Sequence, residues 1–153
     1  MIILDGKPYI EQVRNRILEY TTVLGRDLSF QDIENELSDP AGKYTPPAGE
    51  ILVAYEDGTV WGMVAYHRHS EERCEMKRLY VDPQCRGQRL GEKLVDQIIE
   101  HAKNAGYKEM VLDTLEPMVP AIRLYQKFGF EICEPYYHNP FPDVIYMRKR
   151  LVE

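Results

Sequence analysis

The sequence predicts an α/β (α+β) domain: one mixed, mostly antiparallel sheet with a central parallel pair, flanked by helices. Two apolar, β-prone runs, Ile51–Tyr55 and Val60–Tyr66, flank Glu56-Asp57-Gly58-Thr59. Asp-Gly between such runs is a strong hairpin signal. From Cys74 onward come a strand, a turn rich in arginine and glycine, a long amphipathic helix and another strand. A crossover of that length permits parallel pairing and should be right-handed. No repeat, linker or low-complexity run interrupts residues 1–153, so the chain reads as a single domain.

Each element has its own local reason. Met1–Leu4 reads as a short edge strand. Between Pro8 and Leu24 the apolar positions Ile10, Val13, Ile17, Tyr20 and Leu24 keep helical spacing, and Gly25 closes the helix. Ser29-Phe30-Gln31-Asp32 resembles a capping box with Ser29 as N-cap, opening a helix with Phe30, Ile33 and Leu37 inward. That helix stops before Pro40, and Ala41–Gly49, with two prolines and two glycines, reads as a loop. Cys74–Val81 extends the meander and ends at Asp82-Pro83, where proline removes a ladder donor. The helix Gln88–Ala105 carries an apolar stripe of Leu90, Leu94, Val95, Ile98, Ile99 and Ala102, and Gly106 closes it. A strand at Lys108–Thr114, a loop at Leu115–Pro120, a helix at Ala121–Phe128 closed by Gly129, and strands at Phe130–Cys133 and Val144–Arg148 complete the domain. An aromatic loop with three prolines, Glu134–Asp143, joins the last two strands.

Composition excludes several classes. With 44% hydrophobic and 29% charged residues the chain is ordinary globular, and a net charge of −6 argues against a nucleic-acid partner. Cys74, Cys85 and Cys133 are odd in number and scattered, so neither a disulfide framework nor a zinc site is indicated. His67 and His69 share a strand face, but no third metal ligand accompanies them. The start is too short for a signal sequence, and no apolar run reaches membrane-spanning length. The expectation is a cytoplasmic protein with no membrane partner.

The chemistry concentrates at Arg86-Gly87-Gln88-Arg89-Leu90-Gly91, where a turn enters the long helix. Such a turn leaves backbone N–H groups unpaired at the positive end of the helix dipole. Glycine admits a ligand close to them, so phosphate or pyrophosphate binding is one reading and a solvated connection the other. Neither G-x-x-x-x-G-K-[ST] nor G-x-G-x-x-G is present.

The run E-M-K-R-L-Y-V-D-P-Q-C-R-G-Q-R-L-G resembles the central motif of the GNAT-family N-acetyltransferases, whose usual turn is [Q/R]-x-x-G-x-[G/A]. Arg86 and Gly91 match its ends, while Arg89 stands where the middle glycine usually sits. A second signature, Ala121-Ile122-Arg123-Leu124-Tyr125-Gln126-Lys127-Phe128-Gly129-Phe130, is similar to the family's A-x-x-L-Y-x-x-x-G-F.

The resemblance implies a GNAT fold, acetyl-CoA as donor, and a small-molecule or protein amine as acceptor. It implies that the amides of Gln88–Gly91, with Arg86, Gly87 and Leu90 shaping the turn, hold the pyrophosphate. It implies pairing of the pantetheine arm with the Leu79 and Val81 backbone, and an N–H at Leu79 or Tyr80 facing the developing oxyanion. Tyr125 takes the general-acid position; packing of its ring in the core with Phe128 is the alternative. Glu75 takes the place of a catalytic glutamate that would accept the amine's proton, and pairing with Lys77 or Arg78 is the alternative. Strict alternation puts Glu75 on the face of Leu79 and Val81; a β-bulge would break that parity. Met118 stands where the family often carries an asparagine that bonds the pantetheine, and a thioether cannot donate that bond. The acceptor pocket is expected among Tyr44, Tyr136, Tyr137, His138, Asn139 and Phe141, where tyrosine and phenylalanine faces suit a cation; prolines and tyrosines that merely fix a long loop against the sheet are the alternative. Cys74 and Cys85 lack a histidine activator, so no acyl-enzyme is expected. The family often forms homodimers. Arg89 and Met118 keep open a silent CoA-binding sensor of the same fold, or a module that inherited the fold for interaction alone.

Overall fold

The computed structural model describes residues 1–28 and 32–152. Among these residues seven strands form one sheet, β1 (Ile2–Asp5), β2 (Gly49–Glu56), β3 (Thr59–Arg68), β4 (Arg73–Val81), β5 (Glu109–Leu115), β6 (Glu131–Cys133) and β7 (Val144–Arg150). Their order is β1-β2-β3-β4-β5-β7-β6, and only β4 and β5 run parallel. The hairpin between β2 and β3 turns on Asp57 and Gly58, both with positive φ, as its Asp-Gly signal requires.

Among the described residues five α-helices accompany the sheet: α1 (Ile10–Leu24), α2 (Ile33–Ser38), α3 (Pro40–Lys43), α4 (Leu90–Asn104) and α5 (Val119–Lys127). Gly25, Gly106 and Gly129 close α1, α4 and α5 in the left-handed region. The proposed capping box at Ser29 lies outside the described residues; α2 begins after Asp32. The stretch expected to be a loop after Pro40 instead contains α3. Proline is pre-set for a first helical position, and the Asp39 side chain accepts from Gly42 N–H.

Two cores sandwich the sheet. On one face Leu90, Leu94, Val95, Ile98 and Ala102 of α4 meet Leu52, Val64, Tyr66, Met76, Met110 and Leu112. On the other, Val13 and Ile17 of α1 pack on Ile51, Val53, Met63 and Ala65. Arg16 fixes α1 to the end of β4: Nη1 lies 2.6 Å from Asp82 Oδ2, and Nε donates to Val60 O at 2.8 Å.

A bulge distorts β4. Met63 pairs with Tyr80 and Ala65 with Lys77, so Val64 faces two residues, Arg78 and Leu79, and Arg78 has a φ of 62°. The bulge corrects the strict-alternation reading. Glu75, Lys77 and Tyr80 lie on the α1 face, while Leu79 and Val81 pack with the α4 core. Bulging also turns the Arg78 guanidinium beneath α2, where it forms a buried bidentate pair with Glu36 at 2.7 and 3.0 Å.

Candidate active site

The parallel pairing of β4 and β5 spans only three rungs, Arg73↔Glu109, Cys74↔Met110 and Glu75↔Val111. Beyond Glu75 the strands part, although β5 stays paired with β7 as far as Leu115. The edge of β4 that faces β5 is therefore open from Met76 to Val81. A hollow between the strands is lined by Tyr20, Met76–Leu79, Leu112, Asp113 and Tyr125. Tyr20 comes from the α1 side and Tyr125 from α5, so the opening passes through the sheet. A neighbouring hollow of about 50 Å³ shares Tyr20, Asp113 and Tyr125 and adds Leu24, Leu28, Met118 and Phe141.

At the exposed end of β4 a 3₁₀ turn, Pro83–Cys85, leads into the glycine–arginine turn. Gly87 has a φ of 87°, and Arg89 adopts a φ of 56° immediately before α4. Arg86, Gly87, Gln88 and Arg89 are all exposed, so Arg89 takes up the glycine's backbone conformation without crowding the turn. A Cβ at Gly91 would make only an ordinary contact, with Leu124 Cδ2 at 3.4 Å, where α4 approaches α5. An open strand edge running into an exposed helix N-terminus fits an extended chain that ends in phosphates.

Tyr125 is 8% exposed, and its ring meets Phe130 at 5.9 Å rather than Phe128. Burial pushes its phenol above the ordinary value, so it holds its proton at neutral pH. Glu75 is 6% exposed. His67 Nε2 lies 2.8 Å from its Oε1, the Tyr136 hydroxyl donates to Oε2, and Lys77 Nζ is 4.0 Å away. Burial alone would raise this carboxyl, but the bonds from His67 and Tyr136 and the Lys77 charge outweigh it and hold it at about 2. Glu75 is thus ionised, with both oxygens engaged. It faces a separate hollow of about 240 Å³ with His67, His69, Lys43 and Lys77.

Four of the expected acceptor residues, Tyr136, Tyr137, His138 and Asn139, share one open hollow of about 750 Å³. Tyr136 and Tyr137 also line the Glu75 hollow, and Asn139 the hollow beside Tyr125. Tyr44 requires a correction: it is fully buried in the α1-side core, its ring 6.3 Å from that of His67, so it backs the site from behind. Of the four in the open hollow His138 is the exposed member, and Ile132, Pro135 and Ile145 add to the wall. Arg26 clips the aromatic loop across the site through a bidentate pair with Asp143 at 2.6 and 2.7 Å, its guanidinium 5.1 Å over Phe141.

Sequence reasoning passed over Asp113, His67 as a partner of Glu75, and Tyr20. Asp113 interrupts the apolar run Met110–Leu115, the one local signal it carries. Cys74 is buried, and its thiol is pushed up to about 12 by burial, which suits a core residue rather than a nucleophile. No cluster of three metal-ligating side chains occurs among the described residues, and none of their helices is long and apolar enough to cross a membrane. A larger hollow, about 790 Å³, lies at the opposite end of the β4–β5 pair and is lined by Arg73, Lys108, Glu109 and Arg148–Arg150, apart from this chemistry.

The profile of the acetyltransferase (GNAT) family matches residues 10–130. An uncharacterised N-acetyltransferase of Schizosaccharomyces pombe is 49% identical over 141 residues, 91% of this chain and 86% of its own. A GNAT acetyltransferase from Staphylococcus aureus shares the fold with a TM-score of 0.81 at 20% identity, over 98% of both chains. An acetyltransferase of Salmonella typhimurium, solved with acetyl-CoA, superposes with a TM-score of 0.74 at 22% identity, over 100% of this chain and 95% of its own. This chain belongs to the acetyltransferase (GNAT) family. It is an acyl-CoA N-acyltransferase.

Proposed function

We propose that the chain, working as one domain in the cytoplasm, transfers the acetyl group of acetyl-CoA directly to a primary amine, small molecule or protein. One observation carries this reading: the open edge of β4 runs from the β4–β5 fork to the exposed amides before α4. Acetyl-CoA supplies an activated acyl group and a thiolate leaving group. Gln88–Gly91 hold the pyrophosphate, with Arg86 and Arg89 adding charge, and the Leu79 and Val81 backbone takes up the extended arm. Tyr80 N–H or Leu79 N–H meets the developing oxyanion. Tyr125, protonated at neutral pH, supplies a proton to the departing sulfur.

Glu75 acts through His67. A carboxyl held at about 2 is a weak acceptor for a proton from an ammonium, whose pKa is about 10.4. With its Nε2 hydrogen donated to Glu75, His67 has its other ring nitrogen as an acceptor, and the carboxylate fixes that tautomer. The pair takes the amine's proton through water, because its hollow is separate from the one beside Tyr125. The silent-sensor alternative loses one of its two motives, because Arg89 fits its turn; Met118 remains.

Thermal unfolding with acetyl-CoA, using dephospho-CoA and adenosine as controls, tests the reading. Ligand at 100 times its dissociation constant stabilises by about 2.7 kcal/mol. A shift followed by amine-dependent thiol release is expected. A shift without thiol release from any primary amine would favour the sensor, and no shift at millimolar ligand would remove the cofactor site.

A further inference from the structure

Asp113 occupies an unusual electrostatic position. It stands two residues beyond Val111, the last β5 residue paired with β4, and therefore on the α1 face of the sheet with Glu75. Both hollows at the fork are lined by Asp113 together with Tyr20 and Tyr125, whereas Glu75 faces a different one. Its hydrogen bonds come from neutral donors, the Tyr137 hydroxyl and Asn139 Nδ2 (3.2 Å), and both fall on Oδ2. Among the described residues no ion pair forms to it. Three cations line the same hollows as Asp113, but each has its ion pair with another carboxylate: Arg78 with Glu36, Arg26 with Asp143, and Lys77 Nζ at 4.0 Å from Glu75. Its charge is felt from every side, by Tyr20 on α1, Lys77 on β4, Tyr125 on α5, Tyr136 and Tyr137 in the aromatic loop, and Tyr146 on β7.

A half-buried carboxylate without an ion partner is costly unless a cation joins it. Tyr20 and Phe141 already carry guanidinium groups, Arg78 at 5.4 Å and Arg26 at 5.1 Å, and Tyr125 adds a further aromatic ring beside Asp113 that can attract an organic cation. The rest of the wall is mostly apolar, Leu24, Leu28, Leu115, Met118 and Val144, with Thr114, Asn139 and the Asp143-paired Arg26 as its polar part, which suits an apolar body. We propose that Asp113 seats the ammonium group of the acceptor, and that this acceptor is a primary ammonium on a compact apolar body lying among Tyr20, Leu24 and Phe141. The proposal rests on the amine-transfer reading above. It goes further by assigning the acceptor's charge, its body and the residue that selects it.

The test uses butylammonium chloride titrated onto the full chain, without acetyl-CoA, and followed by backbone amide NMR; 1-butanol at equal ionic strength is the neutral control. The expected result is saturable shifts centred on Asp113 and Tyr125 for butylammonium and none for 1-butanol. Asp113→Asn, which keeps a carbonyl for Tyr137, should weaken binding by about 30-fold or more, as loss of one partner from a buried charge pair does. Asp113→Glu should restore part of it. Equal response to both probes in the wild type would overturn the proposal even if the variants fail to fold. So would unchanged affinity in folded Asp113→Asn, or shifts confined to Glu75 and His67. Because the titration contains no cofactor, its failure leaves the acetyl-CoA stabilisation experiment to decide the transfer reading separately.

Discussion

At Arg89 the chain accepts a φ of 56° that glycine adopts without strain and other residues adopt at about 1 kcal/mol or more. Arg89→Gly should therefore raise the melting temperature by about 2–4 °C while weakening acetyl-CoA binding through the lost charge. Calorimetry of the free and ligand-bound variant checks both signs, and a parallel change in the two would contradict this account. Tyr125 gives the complementary case. Its phenol is buried and protonated, so Tyr125→Phe should lower turnover by about 10²-fold while leaving the cofactor-induced thermal shift intact. Unchanged turnover, with chemistry rate-limiting, would remove it from the mechanism. Both residues were legible because they sit in short signatures with fixed spacing. Asp113 was not: one acid in a six-residue run looks like any solvent-facing strand position until β7 and the aromatic loop are folded over it. Tyr44 misled for the opposite reason, since its proline-rich surroundings resemble a loop and α3 buries it.

Elements were legible where local chemistry decides them. The Asp-Gly hairpin and the three closing glycines depend on backbone conformation alone, and each falls where expected. The face of β4 was not readable, because a bulge depends on what the extra residue can reach. Here the reward for turning Arg78 is Glu36, 42 residues away in sequence. The start of α5 carries a similar local choice. Met118 occupies its N-cap position with no side-chain bond to the helix amides. Met118→Asn should stabilise the protein by about 1 kcal/mol through capping and tighten acetyl-CoA binding as well. Chemical denaturation and a cofactor titration would show this; a variant that is no more stable would mean that the thioether's packing in the hollow outweighs the cap.

Across the whole molecule, acid stability follows from the buried carboxylates. Burial would raise Glu36, but the hydrogen bonds and charge of Arg78, with Lys43, hold it at about 2, and Glu75 is held at about 2 as well. A folded-state value below the ordinary 4.5 contributes stability that is fully present above about pH 4.5. That stability is lost as pH falls from there toward 2. Each group contributes about 3 kcal/mol at neutral pH by this linkage. Unfolding followed by circular dichroism should steepen below about pH 4.5, and Glu36→Gln should flatten that slope while destabilising the neutral protein. A wild-type profile flat from pH 5 to 2.5 would refute the assignment.

The three-rung junction between β4 and β5 also makes the sheet a sewn article. Strands β1–β4 form one panel and β5–β7 the other, and the described backbone joins them by a short seam whose lower stitches are missing. A ligand laid along the open edge of β4 would act as thread. Hydrogen exchange should then slow on both panels together when acetyl-CoA binds, most strongly at Leu79–Val81 and at Leu112–Thr114, although one side alone carries the pairing edge. Slowing confined to β4 would mean that the panels are already held fast by the helices beneath them.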